Sequence, residues 1–421
     1  MKFLWLILLV KDILCLYTHK SLLKGLPENN LSAVQHLQEY IRIDSSKTEN
    51  YDLVVEFWQR LADEISLPLR VYRPEGFPVC VLTWIGAKPD LPSIMLNTHS
   101  DVVPAYDNLW KYPPFAAVID DNGDLYGRGA QDTKSLAIQH FEAIKELKNN
   151  NITLQRTIHI TVLPDEEVGG FRGIKAFIKS GDFKRLNVGF VLDEGLTSPD
   201  NTYLATYMDR RPWQINMTFY GQGGHGSEIA EKGVIEKLDY ILNCILQYQK
   251  EQKEVMARGN NARLGRFTSM NVNIVKTGIA TNILPSLVNV VIDMRLATDV
   301  SISDIQQMID TWQNVTGPGK TVEYLRRDEV SPATTLENNR YWNAMLEAAA
   351  EMNITLKPVV LTATSDMVVV RKLGIPAIGF NPSINTISRV HNNDEYVNIE
   401  TFIQGIQVVK NIVMKLSNVP E

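Results

Sequence analysis

Apolar residues recur at helical spacing from Leu31 to Ile43, through Val34, Leu37 and Ile41, and a second helix is predicted over Tyr51 to Ile65. Short apolar runs at Leu69–Tyr72 and Val79–Trp84 predict strands. A third run, Ile94-Met-Leu-Asn-Thr-His99, lies between Pro92 and Pro104 and reads as a buried strand of a largely parallel sheet. A helix opens after Asp132 and continues to about Asn149, apolar at Leu136, Ala137, Ile144 and Leu147. Strands are predicted at Thr157–Leu163 and Val188–Leu192, with a short helix around Ile174–Ser180 between them. Strands alternating with helices in this way predict an α/β domain.

The pattern changes between about Tyr207 and Leu325. There it runs strand, helix, strand, strand, helix, strand, at Trp213–Phe219, Ile235–Gln249, Ser269–Lys276, Val288–Leu296, Ile305–Gln313 and Thr321–Leu325. That order predicts a ferredoxin-like α+β layer with antiparallel strands and both helices on one face. The α/β pattern resumes with a helix at Tyr341–Met352, a helix carrying Arg371 after Asp366, a strand at Ala377–Phe380 and a closing helix at Ile399–Leu416. The expected organisation is an α/β domain in two parts, 28–206 and 327–421, interrupted by an inserted domain over 207–326.

Ionisable residues gather where the predicted strands stop. His99 and Asp101 end one strand, Asp165-Glu166-Glu167 follows another, Asp193-Glu194 a third, and Asp132 stands in the loop before a helix. In right-handed βαβ connections these ends share one edge of the sheet. Taken singly, each has a plain alternative: a helix cap for Asp132, a solvated turn for the three adjacent acids. Together they place mutually repelling carboxylates at one edge, which a bound cation would offset. His99 and Asp101 also have the spacing that lets a carboxylate hold the second ring nitrogen of a metal-bound histidine. In the inserted region, Gly221-Gln-Gly-Gly-His225-Gly-Ser227 presents an imidazole on a flexible loop, and Thr281-Asn282 puts an amide at a second turn.

Composition narrows the classes. The 421 residues are 44% apolar and 21% charged, with a net charge of −6, which argues against nucleic acid or an anionic membrane as the main partner. Cys15, Cys80 and Cys244 form no disulfide framework or thiolate metal motif, so metal ligands would be oxygen and nitrogen. Met1-Lys2 followed by Phe3–Val10 predicts a signal peptide over residues 1–20 and secretion, although Lys11-Asp12 interrupts the apolar stretch; a cytoplasmic location is the alternative. No uninterrupted span is long enough for a comfortable transmembrane helix.

Asn97-Thr-His99-Ser-Asp101-Val-Val-Pro104, Gly129-Ala-Gln-Asp132, Pro164-Asp-Glu-Glu-Val-Gly-Gly170, Leu192-Asp-Glu-Gly195, Gly224-His225 and His391 together resemble the co-catalytic dizinc metallopeptidase family of aminoacylases, carboxypeptidases and dipeptidases. The Pro164–Gly170 and Leu192–Gly195 stretches look like the aminoacylases in particular. The resemblance implies a catalytic α/β domain of the dizinc aminopeptidase/carboxypeptidase type with an inserted dimerisation or lid domain. It implies Asp132 as a carboxylate bridging two zinc ions, His99 and Glu194 completing one ion's ligands, and Glu167 and His391 the other's, with cobalt or manganese as substitutes. Glu166 matches the general base and Asp101 the residue behind His99.

By the same resemblance, His225 and Asn282 stabilise the tetrahedral oxyanion, His225 reaching the neighbouring subunit of a homodimer. Arg295 matches an arginine near the substrate carboxylate, and Arg371 matches another in the helix after Asp366, to bind substrate or, as the alternative, to form a structural ion pair. One departure stands out: the family carries arginine two residues after the aspartate in the helix of Asp366, and this chain has Val368, which cannot make the bidentate carboxylate contact. The function this implies is hydrolysis of N-acyl-L-amino acids. The rivals are a dipeptidase or aminopeptidase of the same fold, or a binding protein that has lost catalysis.

Overall fold

A computed structural model describes Leu23 and residues 25–231, 233–260 and 262–420. The expected signal peptide lies outside the described residues. The chain forms two compact units. The first runs to Tyr207 and resumes over Thr334–Pro358 and from Ser365 onward; the second is Met208–Ala333 with Val359–Thr364. The second unit thus extends beyond the 207–326 expected of the insert. Backbone bonding explains the addition: the Val360 N–H donates to the Arg263 carbonyl at 2.7 Å, and the Arg210 N–H donates to Leu361 at 3.1 Å.

The first unit is built on an eight-stranded sheet in the order Leu69–Tyr72, Val79–Trp84, Ile158–Leu163, Ser93–His99, Val188–Asp193, Ala377–Phe380, Thr202–Asp209, Thr355–Leu361. The four strands from Ile158–Leu163 to Ala377–Phe380 pair in parallel. Val79–Trp84 joins Ile158–Leu163 antiparallel, and Thr202–Asp209 joins Ala377–Phe380 antiparallel, so the sheet is mixed rather than largely parallel. The Thr202–Asp209 and Thr355–Leu361 strands were not expected from the sequence. Their mixed burial gives neither a continuous apolar run nor a clean alternation.

The central strands are apolar because helices cover them. Every residue of Ser93–His99 and of Ile158–Leu163 is buried. Glu28–Ile41, Tyr51–Glu64, Lys134–Asn149, Arg340–Glu351 and Ile399–Ser417 contribute Leu37, Trp58, Phe141, Met345 and Phe402 to one core with Leu96 and Ile160. A sheet this dry leaves charged side chains only its strand ends. The C-terminal ends of the parallel strands are where the acids and His99 lie.

The second unit holds a four-stranded sheet ordered Ser269–Thr277, Leu287–Leu296, Arg211–Tyr220, Lys320–Arg327, antiparallel throughout. With the helices Val234–Met256 and Ile302–Val315, this is the ferredoxin-like order. One face of the sheet packs Trp213, Ile215, Val290, Ile292 and Met294 against Ile241, Ile245, Ile305 and Ile309 of the helices. Among the described residues, no helix is long and apolar enough to cross a membrane. Cys80 is buried and Cys244 half-buried, both free thiols.

Candidate metal centre

His99 is the last residue of a buried strand and is itself only 2% exposed. Its Nδ1–H donates to the Asp101 carbonyl oxygen at 2.8 Å, which fixes the ring and turns Nε2 outward. Nε2 then faces Asp132 Oδ1 at 2.9 Å and Glu194 Oε2 at 3.4 Å.

The Asp101 carboxylate does something other than expected. It lies 3.6 Å from His99 Nδ1, the shorter bond having gone to the Asp101 carbonyl oxygen, and it accepts the N–H groups of Glu166 and Glu167 at 3.1 Å each. The left-handed backbone of Asp165 (φ 74°) begins the turn that presents these two amides. Asp101 therefore shapes the acidic turn as well as backing the histidine.

Asp132 is not a helix cap. The helix begins at Lys134, and neither its own side chain nor that of Thr133 caps it. Gly127 and Gly129 allow the tight loop that precedes it. A Cβ on Gly127 would fall 2.4 Å from Ile41 Cγ2, and Gly129 has a left-handed φ of 86°. The two Asp132 oxygens diverge, Oδ1 toward His99 and Oδ2 toward His391 Nε2 at 3.3 Å. His391 Nε2 also meets Glu167 Oε2 at 2.9 Å. Two triads result, His99–Asp132–Glu194 and Asp132–Glu167–His391, each with ligand atoms within 4.8 Å of one another and both sharing Asp132.

Glu194 follows its strand directly, and its N–H donates to Asp193 Oδ1 at 2.9 Å. Asp193 itself turns inward, 1% exposed, and accepts from Asn97 at 3.0 Å, while Asn97 accepts from Thr161 at 2.6 Å. The sequence grouped Asp193 with Glu194 as chemistry; the structure makes it a buried support.

The electrostatics follow from crowding. Burial, and then the charge of Glu194, pushes Glu166 well above the usual carboxylate range. Burial likewise raises Glu194 and, with Asp132 beside it, Glu167. Burial works against the charge of Asp132, yet His391 and His99 hold it below its ordinary value. Asp132 and Glu167 push His391 up to about 10. Two imidazoles and three carboxylates without a thiolate, one carboxylate shared, fit a pair of borderline divalent ions such as zinc, cobalt or manganese.

The remaining site residues divide. His225 and Asn282 belong to the second unit, where the short pairing of Gly224–His225 with Ile283–Leu284 brings them to one turn; the Gly226 N–H donates to the Asn282 carbonyl at 2.8 Å. His225 is exposed, its Nδ1 2.7 Å from Ser227 Oγ. Arg295, also in the second unit, is held by Asp293 at 2.9 Å and reaches Thr364 Oγ1 at 3.4 Å.

Arg371 lies in a structural setting. It is 5% exposed, and its guanidinium donates to the carbonyl oxygens of Ala377 at 2.9 Å and Thr206 at 3.2 Å and to Thr334 Oγ1 at 3.3 Å. Of the two roles expected, this geometry favours the structural one, a clasp on backbone carbonyls. Val368, in the same short helix, is buried too.

Sequence reasoning missed Glu395. It is fully buried, and its carboxylate accepts from Arg128 and from backbone N–H groups of the loop carrying Asp132. Its only signal was an acid four residues after His391.

Residues 95–415 match Peptidase family M20/M25/M40. The chain belongs to that family. Within M20 it is 35% identical to Aminoacylase-1A of Rattus norvegicus over 397 residues, 94% of this chain and 97% of that protein. It is 34% identical to Aminoacylase-1 of Homo sapiens over 399 residues, again 94% and 97%. Human carnosine dipeptidase 1 shares the fold, with a TM-score of 0.74 at 14% identity over 92% of this chain and 96% of that one. The M20 chain described here is accordingly a metal-dependent amidohydrolase, with a metal-ligand constellation in its first unit.

Proposed function

We propose that the protein hydrolyses N-acyl-L-amino acids to a carboxylate and a free L-amino acid, using two zinc ions shared across Asp132. The single observation that carries the substrate class is the similarity to aminoacylase-1 over 94% of the chain. The two triads meeting at Asp132 support the metal count.

His99, Asp132 and Glu194 would hold one ion and Asp132, Glu167 and His391 the other, and the ions would supply Lewis-acid chemistry for activating a water and the acyl carbonyl. Glu166 would take the proton from the attacking water and deliver it to the leaving amine nitrogen. Its crowded, half-buried setting suits a carboxylate that must carry a proton part-way through the reaction. His225 and Asn282 donate hydrogen bonds to the oxyanion, His225 coming from the partner in a homodimer; its exposure on a glycine-rich turn supports that reach. Arg295 takes the substrate carboxylate, sharing its charge with Asp293. With Val368 where the family carries arginine, and Arg371 spent on backbone, a free carboxylate is recognised less strictly. The predicted leader gives secretion, which N-terminal sequencing of protein from culture medium tests.

The test is hydrolysis of a panel of N-acyl-L-amino acids beside dipeptides, with zinc and then with a chelator. Chelator-sensitive release of amino acid from the acyl substrates is expected. Turnover of dipeptides alone would assign the protein to the peptidase branch, and silence on both with two zincs bound would reject the reading.

A further inference from the structure

Two loops meet beside the metal centre. One, residues 127–132, ends in the shared ligand Asp132; the other, residues 387–396, carries His391. The second loop is irregular until Tyr396, where the strand Tyr396–Asn398 begins, and His391 is exposed with a left-handed backbone (φ 62°). No strand end holds its ring in the way that the Ser93–His99 strand holds His99.

What does hold the loops is a reciprocal set of side-chain bonds. Glu395, in the second loop, reaches into the first: its carboxylate accepts from Arg128 Nη1 at 2.8 Å and from the N–H groups of Gly129 at 3.1 Å, Gln131 at 2.7 Å and Asp132 at 3.2 Å. Gln131, in the first loop, reaches into the second. Its Nε2 donates to the carbonyl oxygens of Tyr396 at 2.9 Å and Ile387 at 3.2 Å, and its Oε1 accepts the Arg389 N–H at 2.8 Å. Glu395 is fully buried and Gln131 is 3% exposed, so these bonds form where water does not compete.

We propose that Glu395 and Gln131 are positioning residues that hold His391 against Asp132, and so set the affinity of one metal position while leaving the other to the strand ends. The inference rests on the two-metal reading of the site. Its asymmetry comes from how each ligand is anchored. His99 is fixed by its strand and by the Asp101 carbonyl, and Glu194 by Asp193. Asp132 has a second anchor besides Glu395, because the helix that follows is tied to the core through Lys134, whose Nζ donates to the Tyr40 and Ile43 carbonyls at 3.0 and 2.7 Å. His391 relies on what ties its loop: the clasp, together with Arg128 Nη1 on the Asn392 carbonyl at 3.1 Å, the Lys111 N–H on Asp394 Oδ1 at 2.6 Å and the Gly127 N–H on the Glu395 carbonyl at 2.9 Å.

The experiment uses the full chain as wild type, Gln131→Ala and Glu395→Gln, stripped by chelator and titrated with Co2+ alone. Absorption and calorimetry read each equivalent, and thermal melting is recorded on the metal-free protein. The wild type is expected to take up two equivalents. Gln131→Ala is expected to bind the first within about threefold of wild type and the second about 10–100-fold more weakly, the usual cost of losing an outer-shell partner. Its metal-free melting temperature should fall modestly, because three backbone groups lose their partner, and excess Co2+ should restore turnover. Glu395→Gln leaves the Arg128 charge without its partner; if that variant does not fold, Gln131→Ala, which alters no charge, decides the matter. Two equivalents bound as in wild type would overturn the proposal. So would equal weakening of both, which is what a general scaffold role produces. Fewer than two equivalents in the wild type would instead remove the two-metal reading, a failure visible without any variant.

Discussion

In the first unit the Ser93–His99 strand is buried at every position, whereas in the second the Leu287–Leu296 strand is buried at alternate ones. A sheet covered on both faces has no place for an unpaired charge along its strands, so its chemistry is pushed to the strand ends. The polar groups it keeps inside are bonded to one another, as Thr161, Asn97 and Asp193 are. A sheet with one face in contact with solvent carries polar residues mid-strand at little cost, and Asn289, Asp293 and Arg295 sit there. The first arrangement concentrates ligands and makes each one expensive to lose. The second supplies donors that are replaceable without unfolding anything.

The sharpest break of that contrast is Asp132→Ala. Removing the shared carboxylate should empty both metal positions and lower turnover by about 10⁴-fold or more, the scale of losing the metals' Lewis-acid role. Elemental analysis beside kinetics checks it, and two metals retained with measurable turnover would contradict the bridging role. Glu166→Gln keeps every ligand. Its metal content should match wild type while kcat falls about 10²–10⁴-fold, the range for a lost general base. A drop of less than tenfold would disqualify Glu166.

His225→Ala probes the other unit. The loss of one oxyanion donor predicts a kcat about 10²–10³-fold lower, with metal content and melting temperature unaltered. Mixing it with Glu166→Ala protein should recover part of the activity, because a mixed dimer would pair an intact Glu166 with an intact His225 in one site. No recovery from confirmed mixed dimers would count against sharing in trans. Arg371→Met tests the clasp on the Ala377 and Thr206 carbonyls. It should cost about 3 kcal/mol by stranding buried carbonyls, with KM unchanged. A raised KM at unchanged stability would return Arg371 to the substrate.

The smallest effect is a pH dependence of stability. Burial lowers His140 to about 3 and His159 to about 4, both below the ordinary value of about 6.5. Both are neutral in folded and unfolded chains above pH 6.5. As the pH falls through 6.5 the unfolded chain takes up protons that the folded chain refuses, so stability is lost between 6.5 and the folded values. At pH 5 the loss is about 2 kcal/mol per histidine. Denaturant titrations at pH 7 and 5 read it, and His140→Leu should remove its share; an unchanged difference would mean that His140 is not held neutral.

Much of this was legible beforehand. The strand limits at Leu69–Tyr72, Val79–Trp84 and Ala377–Phe380 match the structure, and the strand-helix order of the second unit is that expected from 207–326. Asp132 could be separated from an ordinary helix cap only by its company at neighbouring strand ends. Asp193, Arg371 and Glu395 escaped because each is an ionisable residue turned inward, and nothing local distinguishes such a residue from one facing solvent.

The amino-acid sequence by itself determined where strands and helices alternate and which ionisable residues fall at strand ends. Those features are local, written in apolar periodicity and in motif spacing. Only the tertiary structure decided which carboxylates converge in the two triads at Asp132 and which brace them. Whether a side chain ligates, clasps a carbonyl or pairs with a buried amide depends on partners as far apart as Gln131 and Tyr396, or Arg371 and Thr206. Such pairings are settled when the chain closes on itself and every buried polar group must find a partner.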